Sequence, residues 1–429
     1  MAHKYDEMYH LEKSIPDYWA LKKLKDLAFL VTDRIDVSKV SLENYVSTEN
    51  MLPNKSGIEK AIKMPRYGSV TRFESRDILL SNIRPYFKKI WLAKFNGGCS
   101  NDVLVIKAKN DVSHSFLYYC LQQDPFFNYV TSSSKGTKMP RGDKVAIFSF
   151  EFPVPPLDEQ KAIAKILSDL DSKIELNEKM NKTLETIAQA IFKHWFIDFE
   201  FPNEEGKPYK SSGGEMVDSE LGKIPKGWSV QSLGSVLSLL KDGTHLPPKR
   251  VKEGIRFIAG ATDIKHFYVD FSKCTYITKD EYLKIHKKWT IRPNDVFLTI
   301  VGTVGNTALV RERDLPFSMQ RSIALLRVNE NISYSYLYFF INCNYFKKEL
   351  KKRINPTAQP GIYLTELSKI KIIVPNKKIV ALFHSLAQSF IKFMQFRIDN
   401  MEVLAELRDI LLPKLMTGKI RVPLEDDHE

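Results

Sequence analysis

Phe152-Pro153-Val154-Pro155-Pro156-Leu157-Asp158-Glu159-Gln160 is the stretch on which the fold turns. The proline run cannot be helical. The two acidic residues directly after it suit the first turn of a helix, where the backbone dipole is positive. Apolar residues then return at Ile163, Ile166/Leu167, Leu170, Ile174, Met180, Leu184, Ile187, Ile191 and Trp195, in steps of mostly three and four, with Asn177 and Asn181 interrupting the stripe. Neither Gly nor Pro occurs until Pro202. The spacing therefore predicts a helix of about 40 residues, roughly 60 Å long. A helix of that length needs a second helix to cover its apolar stripe.

The same texture returns after Ile372-Ile373-Val374-Pro375. From Lys377 the chain passes Leu382, Leu386, Phe390, Phe393, Met401, Leu404, Leu407, Leu411 and Leu415, with Pro413 placed to kink the end and Gly418 to cap it. Two helices of similar length with matching stripes predict a coiled-coil pair. Between the first helix and Gly227, Asn203–Pro208 and Ser211–Gly214 read as loop.

The chain is an internal duplication. Pro16-Asp17-Tyr18-Trp19 matches Pro225-Lys226-Gly227-Trp228, and Arg76–Leu80 matches Asn294–Leu298. Phe116-Leu117-Tyr118-Tyr119 matches Tyr336-Leu337-Tyr338-Phe339, and Phe152–Pro155 matches Ile372–Pro375. Within each block, β-type runs such as Val103–Ile106 and Ile323–Leu326 alternate with turns and short helices, which predicts an α+β class.

Charge follows the same division. The 429 residues carry a net +13, but residues 1–155 hold 23 Lys+Arg against 17 Asp+Glu, and residues 226–376 hold 24 against 12. Residues 156–225 are net −5 and residues 377–429 are neutral. Two basic units on neutral-to-acidic connectors suit a polyanion read at two places. The apolar content excludes a disordered chain, and no stretch reads as a membrane span. Cys99, Cys120, Cys274 and Cys343 are too scattered for a zinc knuckle and read as buried thiols of a reducing, cytoplasmic compartment.

Catalytic motifs are missing. There is no GxxxxGK[S/T] phosphate loop. Gly302-Thr303-Val304-Gly305 reads as a hairpin turn and Asp124-Pro125-Phe126-Phe127 as a helix end, not as a methyltransferase signature; Asn355-Pro356-Thr357 fails likewise. The nine histidines are dispersed, with His194 and His384 expected on helix surfaces, and Asp280-Glu281 and Asp426-Asp427 lack the lysine-bearing strand of a metal nuclease.

Pro155–Gln160, the following helix to Lys193-His194-Trp195-Phe196 and the re-entry Leu221-Gly222-Lys223-Ile224-Pro225-Lys226-Gly227-Trp228 resemble the specificity subunit of type I restriction-modification enzymes. Ser47–Leu52, Asp77–Tyr86, Asp242-Gly243-Thr244-His245, Gly302–Gly305 and Leu411–Ile420 add to the resemblance. It implies two duplicated mixed α/β DNA target recognition domains separated by two long antiparallel coiled-coil helices. The domains are then 1–156 and 226–376, the first spacer helix 157–200, the second spacer helix and tail 377–429, and the linker 201–225. It further implies a non-catalytic chain that binds double-stranded DNA at a bipartite site and docks two methyltransferase subunits, with restriction/translocase subunits joining and no membrane involved. No cofactor belongs to this chain; S-adenosylmethionine, ATP and magnesium are expected in the partner subunits.

Base edges are read by Arg, Asn, Gln and small polar side chains on turns. The DNA-binding candidates in the first block are Asn82, Arg84, Lys135, Thr137, Lys138 and Arg141. In the second they are Lys241, Thr244, His245, Lys249, Arg250, Gln320, Arg321, Arg353 and Gln359. The run Lys347–Arg353 suits phosphate positioning. The rival readings are a two-headed adaptor for acidic proteins and a stand-alone DNA methyltransferase or nuclease.

Overall fold

The computed structural model describes residues 15–356 and 359–423. The chain divides into two compact units. One holds residues up to Glu175 together with those from Met401 onward; the other runs from Leu176 to Asn400. Both divisions fall inside the two long helices, Leu157–Phe196 and Lys377–Met416, each 40 residues long.

In the first unit, β1 (Ala20–Lys23) pairs antiparallel with β10 (Glu151–Val154), so the strand ahead of the first long helix is tied to the beginning of the block. A central sheet has the order β2 (Ala28–Leu30), β9 (Val103–Ala108), β6 (Ile78–Ser81), β7 (Ile90–Leu92), all antiparallel. A second sheet contains β3 (Arg34–Asp36), β5 (Ser69–Phe73), β8 (Gly97–Cys99) and β4 (Tyr45–Val46), with β4 and β8 parallel. All four residues of β6 and the first four of β9 are buried, because the central sheet is covered on both faces. Ile78, Leu80, Leu104 and Ile106 face Phe116, Phe126, Phe150 and Phe152. Leu79, Val103 and Val105 join Phe73, Trp91 and Cys99 on the other side. Ile163 and Leu167 of the first long helix and Leu412, Leu415 and Met416 of the second complete the first of these cores.

The second unit repeats the plan. After a hairpin of β11 (Met216–Ser219) and β12 (Gly222–Pro225), β13 (Ser229–Ser232) pairs with β22 (Lys371–Val374). The central sheet runs β14 (Leu237–Asp242), β21 (Ile323–Val328), β18 (Val296–Thr299), β19 (Thr307–Leu309). The other sheet holds β15 (Arg250–Val251), β17 (Thr275–Ile277), β16 (Ile255–Ile258) and β20 (Phe317–Met319), again with one parallel pair. All four stretches matched in the sequence land in equivalent elements. Phe116–Tyr119 and Tyr336–Phe339 lie in the helices His114–Gln122 and Tyr334–Asn342, and Trp19 and Trp228 are both buried.

Within each unit the long helices run antiparallel. In the first, Arg408 Nη1 lies 2.9 Å from Asp171 Oδ1, and the Tyr119 hydroxyl donates to Asp171 Oδ2 at 2.7 Å. In the second, Arg397 Nη1 donates to Asn177 Oδ1 at 3.1 Å and Asn181 Nδ2 to the Met394 carbonyl at 3.2 Å. The two asparagines that interrupt the stripe thus form a polar joint between the helices.

Several local expectations change. Asp124 opens the helix Asp124–Ser132 instead of ending one, since Pro125 suits a first turn. The linker contains the β11–β12 hairpin. Cys274 is only partly buried, and His384 is half-buried, with Nδ1 2.9 Å from Ser335 Oγ. The second long helix is, by length and composition, apolar enough to cross a membrane, contrary to the sequence reading. Its Phe383, Ala387, Ile391, Met394 and Ile398 recur at helical spacing and are buried, which marks a packing stripe. Asp426 and Asp427, and Thr357 of the Asn355-Pro356-Thr357 motif, lie outside the described residues.

Candidate nucleic-acid interface

Antiparallel pairing decides which loops meet. Because β9 runs against both β2 and β6, the segments 31–34, 82–88 and 100–102 leave the central sheet at one edge. A loop from after the helix Asp124–Ser132 is stapled onto that edge. Asn82 N–H donates to the Asp102 carbonyl (2.8 Å), Gly142 N–H to Asn82 (2.9 Å) and Arg84 N–H to Pro140 (2.7 Å), while Arg141 bridges both Ile83 and Lys135. The second unit reproduces each bond. Ile300 N–H donates to Ser322 (2.8 Å), Ile362 N–H to Ile300 (2.9 Å) and Gly302 N–H to Pro360 (2.8 Å), with Gly361 bridging Val301 and Asn355.

The staple gathers Asn82, Arg84, Lys135, Thr137, Lys138 and Arg141 into one exposed, cationic cluster. Arg141 Nη2 is held by Asp102 Oδ1 at 2.8 Å, which orients an otherwise exposed guanidinium. Lys135 Nζ sits 2.5 Å from Asp143 Oδ2 and, with two backbone N–H groups, holds that carboxyl below its usual pKa. Asn82 is partly withdrawn, its Oδ1 buried against Gly142. Beside them the turn Pro85-Tyr86-Phe87 exposes two rings 4.7 Å apart. Lys55 and Lys88 meet on Asp124 at 3.0 and 2.9 Å; burial opposes its ionised form, yet these two hydrogen bonds keep its pKa lowered.

In the second unit the same edge collects Thr244, His245, Gln320 and Arg321. Thr244 N–H donates to Met319 (3.0 Å), Arg321 N–H to Thr244 (3.1 Å), and Thr244 bridges Gln320. His245 Nε2 lies 2.7 Å from Asp242 Oδ2 and Lys241 Nζ 3.6 Å from Asp242 Oδ1, so one carboxylate collects both. Lys249 is exposed, while Arg250 stacks 3.8 Å from the Phe257 ring centroid, where burial lowers its pKa. Arg353 is drawn away from this group: its Nη1 lies 2.5 Å from Glu349 Oε2 and 2.9 Å from the Glu349 carbonyl at the end of the helix Asn344–Lys352. Gln359 is exposed on the stapled loop. Gly302–Gly305 forms the turn joining β18 to β19.

Sequence reasoning missed several polar groups. Arg34 Nη1 donates to Asn101 (2.6 Å) and Thr71 (3.2 Å), and its Nε to Ser69 (3.2 Å), buttressing the first cluster. In the second unit a cavity of about 400 Å³ is lined by Lys265, His266, Thr303, Asn306, Asn342 and Lys347. There His266 Nε2 approaches Glu185 Oε2 at 2.5 Å, and the Tyr338 hydroxyl donates to Glu185 Oε1 at 3.1 Å. Lys265 and His266 carry no motif, and only the fold brings them beside Thr303. No group of three His, Cys, Asp or Glu suited to a metal gathers among the described residues.

Comparison with known proteins agrees with this duplicated arrangement. The chain is 28% identical over 432 residues to the type I restriction enzyme MjaIX specificity subunit of Methanocaldococcus jannaschii, covering 95% of each. It is 27% identical over 467 residues to the HindI specificity subunit of Haemophilus influenzae, covering 94% of this chain and 99% of that one. A crystal structure of the type I restriction-modification S subunit from M. genitalium superposes with a TM-score of 0.52 at 17% identity, over 95% of this chain and 97% of that one, and so shares its fold. Residues 16–186 and 225–402 each match the type I restriction modification DNA specificity domain, and with two copies of it the chain belongs to that family.

Proposed function

We propose that this protein is the sequence-reading subunit of a type I restriction-modification complex, and that it recognises DNA without catalysing a reaction on it. The recognition blocks 1–156 and 226–376 each bind one half of a bipartite double-stranded site. The segments 157–200 and 377–429 set the distance between the halves and dock two methyltransferase subunits; restriction/translocase subunits join that assembly in the cytoplasm. Partner subunits supply S-adenosylmethionine, ATP and magnesium chemistry. The observation that carries this reading is the duplicated, hydrogen-bonded loop cluster in a chain matched twice by one DNA specificity domain.

At each edge the proposed contacts divide by chemistry. Arg84, Arg141, Asn82 and Thr137 in one block, and Thr244, His245, Gln320, Arg321 and Gln359 in the other, have donors and acceptors suited to base edges. Lys135, Lys138, Lys241, Lys249, Arg250 and Arg353 serve phosphates or support the loops.

Genome-wide methylation mapping with the cognate methyltransferase subunits tests the reading. A split motif with a constant unspecified gap is the expected outcome. Weak DNA binding that stays shallow in salt would favour an adaptor for acidic proteins instead.

A further inference from the structure

The duplication makes each half a control for the other. Arg84 and Gly302 occupy equivalent corners after β6 and β18, with φ of 50° and 78°, and each donates its N–H to an equivalent proline. The far corners are Lys88, at φ 51°, and Gly305, at φ 107°. The second copy uses glycine at both left-handed corners, where a Cβ is disfavoured. The first copy puts two cations there against that preference.

For Lys88 the fold supplies a reason, its ion pair with Asp124 at 2.9 Å. For Arg84 it does not: the exposed guanidinium has no hydrogen bond or ion pair among the described residues. A turn that closes with glycine in its twin does not need this side chain in order to fold. Its backbone is nonetheless fixed on both sides, since Arg84 N–H donates to Pro140, its carbonyl accepts from Phe87 N–H at 3.0 Å, and Pro85 follows. A phosphate contact requires only a nearby charge, which the exposed Lys138 supplies without such anchoring.

We infer that Arg84 is a specificity-determining residue of the first half-site, donating its guanidinium fork to O6 and N7 of a guanine in the major groove, and that the second block makes no equivalent contact. This rests on the reading of the chain as a DNA specificity subunit. Arg141, oriented by Asp102, stands on the adjoining loop and can support the same or a neighbouring base pair.

The test uses the assembled complex with its methyltransferase subunits, carrying wild-type, Arg84→Gly or Arg84→Lys chains, on duplexes bearing the mapped site and each single base-pair change. Arg84→Gly is expected to reduce discrimination at one G·C pair of the first half-site by roughly 5- to 150-fold. The second half-site should be unchanged and the thermal midpoint should not fall. Arg84→Lys should keep the charge but lose the discrimination. Full discrimination in Arg84→Gly overturns the inference, and so does an equal loss for all sequences with a shallower salt slope, which marks a phosphate contact. A lowered thermal midpoint overturns it by making Arg84 structural. A wild-type complex with no sequence preference instead removes the underlying reading.

Discussion

Glu159 carries more of the first unit than its place in a sequence motif suggests. It is 2% exposed and accepts from Trp19 Nε1 (3.1 Å), the Tyr18 hydroxyl (3.0 Å) and Arg421 Nε (3.2 Å); burial raises its pKa while the Trp19 bond opposes that shift. Its neighbour Gln160 accepts from Ser113 N–H and donates to the Pro155 carbonyl, both at 3.0 Å. In the second copy Trp228 Nε1 is buried without a partner among the described residues. Glu159→Ala should therefore destabilise the first unit by about 1–3 kcal/mol, read from chemical denaturation, because it strands the buried Trp19 indole N–H. His286 gives a pH prediction for the second unit. Burial lowers its pKa to about 4 from 6.5, and its Nε2 lacks a partner among the described residues. Between those values the unfolded chain takes up the proton that the folded ring refuses, so stability falls as pH drops through this window. Thermal midpoints followed across it should show that fall, and His286→Phe should flatten it.

At the scale of elements, the pairing of the long helices combines apolar packing with polar bonds, Arg408 to Asp171 in the first unit and an asparagine joint in the second. Across the second of these, Arg397 and Asn177 bond, yet Arg397 Nε, Asn177 Nδ2 and Asn181 Oδ1 are buried and unpaired among the described residues. Removing one partner, as in Arg397→Ala, should cost about 1–3 kcal/mol. Replacing Arg397 and Asn177 together by leucine should be close to neutral in a melting experiment, while loosening the register that the polar pair specifies. These helices, the terminal strands and the duplicated aromatic helices were legible because their signals are local: a proline, an acidic first turn, a repeat of three and four. The staple was not legible. Asn82 meets Gly142 and Arg84 meets Pro140 through backbone atoms, which leave no trace in residue choice. Arg34 was missed for a different reason: its side-chain partner Asn101 lies 67 positions away. Arg353 is also paired by the fold, with Glu349 one helical turn earlier, a spacing of four that the sequence itself displays.

At the scale of the whole molecule, the duplication predicts a division of labour. Exchanging residues 226–376 for the matching block of a relative should alter one half of the methylation motif and leave the other intact; changes in both halves would contradict it. Inserting four residues within 196–200 should lengthen the unspecified gap or abolish methylation if the helices act as a ruler, and an unchanged gap would refute that role. The composition of the two units has a further consequence, in time. The second unit is a continuous segment, from Leu176 to Asn400, whereas the first also needs residues from Met401 onward. Arg421 must reach Glu159, and Gly418 must come against Pro16 and Trp19, before that unit is complete. On the ribosome, the block made first therefore finishes last. It waits with part of its core uncovered until the end of the second long helix emerges, while the block made second can close around its own residues.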